Sequence, residues 1–132
     1  MNSAVLDTHI LVWWLESDTR LSRSQRRYLE KLEDNGGPFV ISAITLWELA
    51  KPASAGRITA SQPLDIWLRE IEAHPMIQME PLSSRVLAES VQLQGFHKDP
   101  ADQIIAATAI CLGLPLVTSD DRIRKWGGVT VV

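Results

Sequence analysis

Acidic side chains recur in this chain where short apolar runs stop. Asp7 directly follows Ala4-Val5-Leu6, Asp120 and Asp121 follow Leu116-Val117, and Glu48 lies on the segment after Phe39-Val40-Ile41. Asp99 and Asp102 open a stretch packed with alanine and isoleucine. Carboxylates resist being gathered: two of them about 4 Å apart repel by roughly 4 kcal/mol at an effective dielectric of about 20. A cluster of Asp7, Glu48, Asp102 and Asp120 therefore requires protonation, basic partners or a divalent cation. Mg2+ and Mn2+ prefer oxygen ligands and pair readily with phosphate oxygens. The chemistry such a set points to is metal-assisted phosphodiester hydrolysis, with one or two ions activating water and stabilising the leaving oxygen. Cys111 and the scattered histidines His9, His74 and His97 are read as offering no competing soft-metal site.

Each acid also has a structural reading. Asp99-Pro100-Ala101-Asp102 has the form of a helix start, with Asp99 as N-cap, Pro100 at the first position and Asp102 at the third. Thr118-Ser119-Asp120-Asp121 reads the same way, with Thr118 as cap and Asp121 at the third position. The helix dipole favours acids at such places without any ligand. Asp99 and Asp121 fill capping slots most fully and rank as supporting residues. Asp7 and Glu48 have weaker structural reasons, and Glu48 sits between Trp47 and Leu49, where a carboxylate without a partner is costly.

The elements that would position these acids alternate between strand and helix. Ala4–Leu6, Phe39–Ile41, Ile77–Glu80, Leu116-Val117 and Val129–Val132 are predicted strands. Predicted helices cover 9–15, 22–34, the ITLWELA segment capped by Ser42 and broken by Pro52, 63–73, 83–93 and 100–113, with a helical turn from Asp120 to Lys125. Gly36-Gly37-Pro38 ends the second helix. Such alternation predicts a three-layer α/β/α fold, a single domain over 1–132, with a central mainly parallel sheet covered by helices on both faces. Ligands of such sheets bind beyond the carboxyl ends of the strands, where these acids would converge.

Composition sets bounds on the reading. A length of 132 residues suits one domain able to bury a core without disulfides, and Cys111 is the one cysteine. It lies in the apolar run IIAATAICLGL and is expected to act as a small hydrophobe. The net charge of −3 argues against a general polyanion-binding surface, so nucleic acid would need a local basic patch. Trp13, Trp14, Trp47, Trp67 and Trp126 stand beside apolar neighbours, which favours packing over base stacking. The start MNSAVLDTHI has no basic region ahead of a long apolar stretch, and no apolar run reaches the about 18 residues of a membrane span. A cytoplasmic protein without a membrane segment is the expectation.

VLDTHILVWWL, ISAITLWELA, HKDPADQIIAATA and LVTSDDRI, in that order and spacing, resemble the PIN-domain toxins of the VapC type over nearly the whole chain. The resemblance implies a compact α/β/α fold and an Mg2+- or Mn2+-dependent endoribonuclease. It places the family's acidic positions on Asp7, Glu48, Asp102 and Asp120 as catalytic and metal-holding residues. Thr8, Ser42, Thr45 and Thr118 match hydroxyl positions that could support the carboxylates, and Asp99 and Asp121 match acids beside the core set. It also implies an RNA substrate, a cognate antitoxin whose tail blocks the site, and a homodimer. Two departures stand out: Gln103 replaces an arginine common after the aspartate, and Pro52 shortens the Glu48 helix.

Among the cations, Arg57, Lys98 and Arg122 lie nearest the acids and are candidate RNA-phosphate contacts. Arg20, Arg23, Arg26, Arg27 and Lys31 read instead as a solvated helix face, with an Arg26–Glu30 pair. His9 and His97 sit beside Asp7 and Asp99 and suit positioning or packing; His74, before a proline, is expected in solvent. Two rival functions follow from the same acids. One is phosphoryl transfer through an Asp7 nucleophile, which lacks a close second acid and has only a poorly placed Lys125. The other is a non-catalytic acidic pocket that docks a basic partner peptide.

Overall fold

Strands that lack polar alternation can be stable only with both faces covered, and the apolar runs here meet that condition. In the computed structural model, which describes residues 3–54 and 62–132, β1 (Ala4–Leu6), β2 (Phe39–Ser42), β3 (Ile77–Glu80) and β4 (Leu116–Val117) share one sheet. Its order is β3-β2-β1-β4, and every pairing is parallel. The register sets Val5 against Val40 on one side and Leu116 on the other, with Leu6 against Val117. The residues that follow β1 and β4, Asp7 and Thr118, thus emerge side by side at the carboxyl edge.

The period of two along each strand divides the core. Ala4, Leu6, Phe39, Ile41 and Val117 join a cluster with Ile10 and Leu11 of α1 (Thr8–Leu15), Leu29 and Leu32 of α2 (Arg23–Asp34), Leu49 of α3 (Ala43–Ser54) and Ile71 of α4 (Leu64–Glu72). Val5, Val40 and Leu116 join the other cluster with Ile105 and Ala109 of α6 (Pro100–Leu112) and Ile123 of α7 (Asp121–Trp126). A short α5 (Ser84–Ser90) packs on α6. This is the expected three-layer α/β/α arrangement. Ala106, Ala107 and Ala109 of α6 are wholly buried, so the helix lies close on the sheet. Enlarging any of them would overpack this contact at a cost of about 1–3 kcal/mol.

Local chemistry explains most of the boundaries. Ser22 and Gln25 close a capping box at the start of α2. Asp99 caps α6 with Pro100 at its first position, and α6 ends on Gly113, whose φ of +66° suits a residue without a side chain. Four expectations need correction. Pro52 does not break α3, which runs two residues further to Ser54; proline's fixed φ is helical, and here only the last turn loses a hydrogen bond. The final strand is a single parallel bridge, Leu116 to Val131. The cap of α7 is Asp120 rather than Thr118, which leaves Asp121 at the first helical position instead of the third. His74 is half-buried, its Nδ1 accepting the Met76 N–H at 3.0 Å and its ring set edge-on to Trp14. Among the described residues no helix is long and apolar enough to cross a membrane.

Candidate active site

Asp7 leaves β1 as the N-cap of α1 and is almost wholly buried, at 3% exposure. Its Oδ1 accepts the Thr8 N–H at 2.8 Å, and its Oδ2 accepts the Thr118 hydroxyl at 2.7 Å. The Thr118 oxygen in turn accepts the Asp120 N–H at 3.0 Å. One hydroxyl therefore joins the acid after β1 to the backbone of the acid after β4. Thr8 donates its hydroxyl to Glu48 Oε1. Because that hydroxyl has one proton, Thr45, 3.0 Å away, must be the donor in the Thr45–Thr8 contact. The chain Thr45, Thr8, Glu48 orients the α3 carboxylate toward the same edge. Ser42 does something else: it is buried and its Oγ accepts the Ile44 N–H at 3.2 Å, capping α3 rather than holding a carboxylate.

At the opposite wall, Asp99 accepts the Asp102 N–H at 3.2 Å, which fixes the first turn of α6. Asp102 stands within ion-pair distance of His97 Nε2, at 3.3 Å, and of Arg122, at 3.6 Å. Burial raises its pKa to about 7, with the charges of Asp7, Asp99, Glu48 and Asp120 pushing in the same direction. Glu48 is also raised, by burial first, with Thr8 opposing and Asp7 and Asp99 adding. Asp120 goes the other way. Burial would lift it, but hydrogen bonds from the Arg122 side chain and backbone, and the charges of Arg122 and His97, hold it below the usual carboxylate range.

The acids from β1, α3, α6 and the β4–α7 turn thus share one electrostatic neighbourhood. The tightest cluster differs from the expected foursome. Among the described residues, the group whose donor atoms all approach within 4.8 Å is His97, Asp102 and Asp120, while Asp7 and Glu48 stand outside that spacing. Asp121 is exposed on α7 and belongs to no such group. Arg122 is engaged with Asp120, its NH2 at 3.0 Å from Oδ2, so the cation that Gln103 fails to supply comes from α7 instead. Gln103 itself donates to the His97 carbonyl at 3.1 Å. Lys98 is exposed beside this wall, and Arg57 lies outside the described residues.

One residue escapes sequence reasoning. Gln25 is buried and donates to the carbonyls of Thr118, at 3.1 Å, and Val132, at 3.3 Å, pinning the β4 end. Its place in a capping box signals only α2, not a contact far along the chain. His9 accepts the Ser119 N–H at Nε2, 2.9 Å away, while its Nδ1 lies 3.7 Å from Asp7. That tautomer turns the Nδ1 proton toward the carboxylate.

Next to the acids runs an apolar groove lined by Ala43, Ile44, Trp47, Leu82, Pro100 and Ala101. Trp47 is 53% exposed with Lys51 over its ring, contrary to the expected packing.

The chain matches the PIN domain over residues 4–129. It is 34% identical over 126 residues to Ribonuclease VapC22 of Mycobacterium tuberculosis, covering 95% of this chain and 92% of that protein. A toxin-antitoxin complex from Klebsiella pneumoniae holds a chain that superposes with a TM-score of 0.63 at 26% identity, covering 98% of this chain and 95% of its own. VapBC2 from Rickettsia felis, bound to a DNA fragment from its promoter, gives a TM-score of 0.71 at 20% identity, with 98% and 97% covered, and shares the fold.

Proposed function

The chain belongs to the PIN-domain family, and from that premise we propose that it is a divalent-metal-dependent endoribonuclease, the toxin of a type II toxin–antitoxin pair. One observation carries the reading. Carboxylates from four separate elements are held at one edge although they repel, and burial first, with the neighbouring charges adding to it, raises Asp102 to about 7. A fold tolerates such repulsion where a cation neutralises it. The donor set fits Mg2+ or Mn2+: its members are hard oxygens, and the buried His97 Nε2 beside them has no hydrogen-bond partner. Asp102 and Asp120 would hold the ion, with Asp7 and Glu48 completing the acidic wall. When bound, the ion supplies charge for the developing phosphate oxygens and activates water.

The chain's own residues supply the rest. Thr118 and the Thr8 N–H lock Asp7 in one orientation, and Thr8 does the same for Glu48. Both oxygens are engaged and the residue is nearly unexposed, which supports Asp7 as an anchor rather than as the nucleophile of an aspartyl-phosphate mechanism. Asp102 can hold or release a proton near neutral pH. Arg122 balances Asp120, and its exposed guanidinium suits a contact with substrate phosphate. The apolar groove beside Glu48 and Asp99 suits an antitoxin tail that sets apolar side chains against Trp47 and a basic one among the acids. RNA as substrate, this antitoxin, a homodimer and a cytoplasmic setting complete the proposal.

The test uses protein purified free of any partner, incubated with mixed cellular RNA and Mg2+ or Mn2+. Cleavage that EDTA abolishes and that Asp7→Asn and Asp102→Asn each reduce is the expected result. Absence of both metal binding and cleavage would leave the acidic edge as a docking pocket.

A further inference from the structure

His97 meets two aspartates at the starts of α6 and α7. One nitrogen of His97 and one oxygen each from Asp102 and Asp120 lie mutually within 4.8 Å. His97 Nε2 stands 3.3 Å from Asp102 Oδ2. That separation is close to the about 3 Å between neighbouring ligands on an octahedral ion with bonds of about 2.1 Å. The nitrogen is buried and makes no hydrogen bond, an arrangement that is costly unless some partner arrives. The ring is held in place. It stacks on Phe96 with centroids 4.5 Å apart, and Phe96 rests edge-on against Trp126.

We infer that His97 Nε2 is a ligand of the divalent ion and shifts the preference of the site from Mg2+ toward Mn2+. The inference rests on the metal-nuclease reading above and adds a donor of different chemistry to it. Imidazole nitrogen suits transition metals, whereas Mg2+ keeps to oxygen and gives up its waters reluctantly. Ligation needs the Nε2 lone pair, hence a proton on Nδ1. The tie that favours the opposite tautomer is the Asp99 N–H to Nδ1 contact, which at 3.4 Å is too long to oppose the exchange. Arg122, 3.6 Å from Asp102 and 3.0 Å from Asp120, would have to give up these contacts for an ion to neutralise both acids. In the rival arrangement, His97 keeps its proton on Nε2 and only steadies Asp102 from outside the coordination sphere.

Electron spin-echo envelope modulation of the full chain loaded with Mn2+ separates the two. The expected result is 14N modulation from a directly bound imidazole in the wild type and its loss in His97→Gln. Calorimetry on the same pair should show Mn2+ affinity falling about 10- to 100-fold while Mg2+ affinity changes by less than about threefold. Circular dichroism of the metal-free variant checks that it folds; if it does not, the wild-type spectrum alone still decides. Bound Mn2+ without nitrogen modulation, or modulation that persists in His97→Gln, overturns the role of His97 and leaves the nuclease reading standing. Failure of the wild type to take up Mn2+ at all overturns both.

Discussion

Helices α6 and α7 begin alike and end electrically opposed. Each has an aspartate at its cap: Asp99 accepts the Asp102 N–H at 3.2 Å, and Asp120 accepts the Arg122 N–H at 2.8 Å. Each carries another acid in its first turn, where the dipole favours it. Yet the α6 start holds Asp102 raised to about 7, and the α7 start holds Asp120 below the ordinary range. The local motif is the same; the company differs. Asp102 is half-buried among four other carboxylates, whereas Asp120 has its own counter-ion two residues on. Two acids at helix starts can therefore share one sequence signature and differ in charge state through their neighbours, the gathered carboxylates around Asp102 and the Arg122 fork on Asp120.

Removing the raised acid breaks the comparison most severely. Asp102→Asn should lower RNA cleavage by about a hundredfold or more, measured as the initial rate under saturating Mn2+, because a ligand oxygen and a charge both disappear. A rate within a few-fold of wild type would remove Asp102 from the chemistry.

The protonation difference predicts a pH dependence of the next size. Mn2+ must displace the Asp102 proton below about pH 7. Affinity should then fall as pH drops from 8 to 5.5, approaching about tenfold per unit, and Asp102→Asn should flatten that slope. Metal-free stability should respond in the opposite sense. A carboxyl with its folded pKa raised above its ordinary 3.8 makes the unfolded chain the weaker proton binder between about pH 4 and 7. Through this group, the metal-free protein gains stability as pH falls across that window. Asp120, with a lowered pKa, contributes stability that is lost only at lower pH. Thermal melts of wild type and Asp102→Asn at pH 5 and pH 8 check the sign.

Arg122→Gln sharpens the contrast by taking away the counter-ion. Asp120 should then titrate more like Asp102, and Mn2+ affinity should rise about twofold to fivefold, since the metal no longer competes with a cation. The smallest effects fall on the α6 cap. Asp99→Ala should cost about 1 kcal/mol of stability in urea, whereas Asp99→Asn keeps the cap and should cost a few tenths.

Much of this was legible in the sequence because the signals were local. The strands are short apolar runs, and Asp7, Asp102 and Asp120 each follow a strand or open a helix, so topology alone sends them to one edge. Glu48 stood out as a carboxylate within an apolar segment. What stayed hidden depends on long-range contacts. Gln25 looks like a cap residue until α2 is laid across the end of β4. The orientation of His97 is set by its stacking on Phe96, which no spacing rule encodes. Arg122 reads as a free phosphate contact until its fork closes on Asp120. Pro52 misleads for the opposite reason: a strong local rule overstated its reach near a helix end.

The central claim is that these opposed acids form one metal centre, and crystals soaked in Mn2+ test it most directly. The account predicts an anomalous-difference peak within bonding distance of both Asp102 and Asp120, at the carboxyl edge of β1 and β4. A crystal with no peak there, under Mn2+ concentrations that support RNA cleavage in solution, would contradict it.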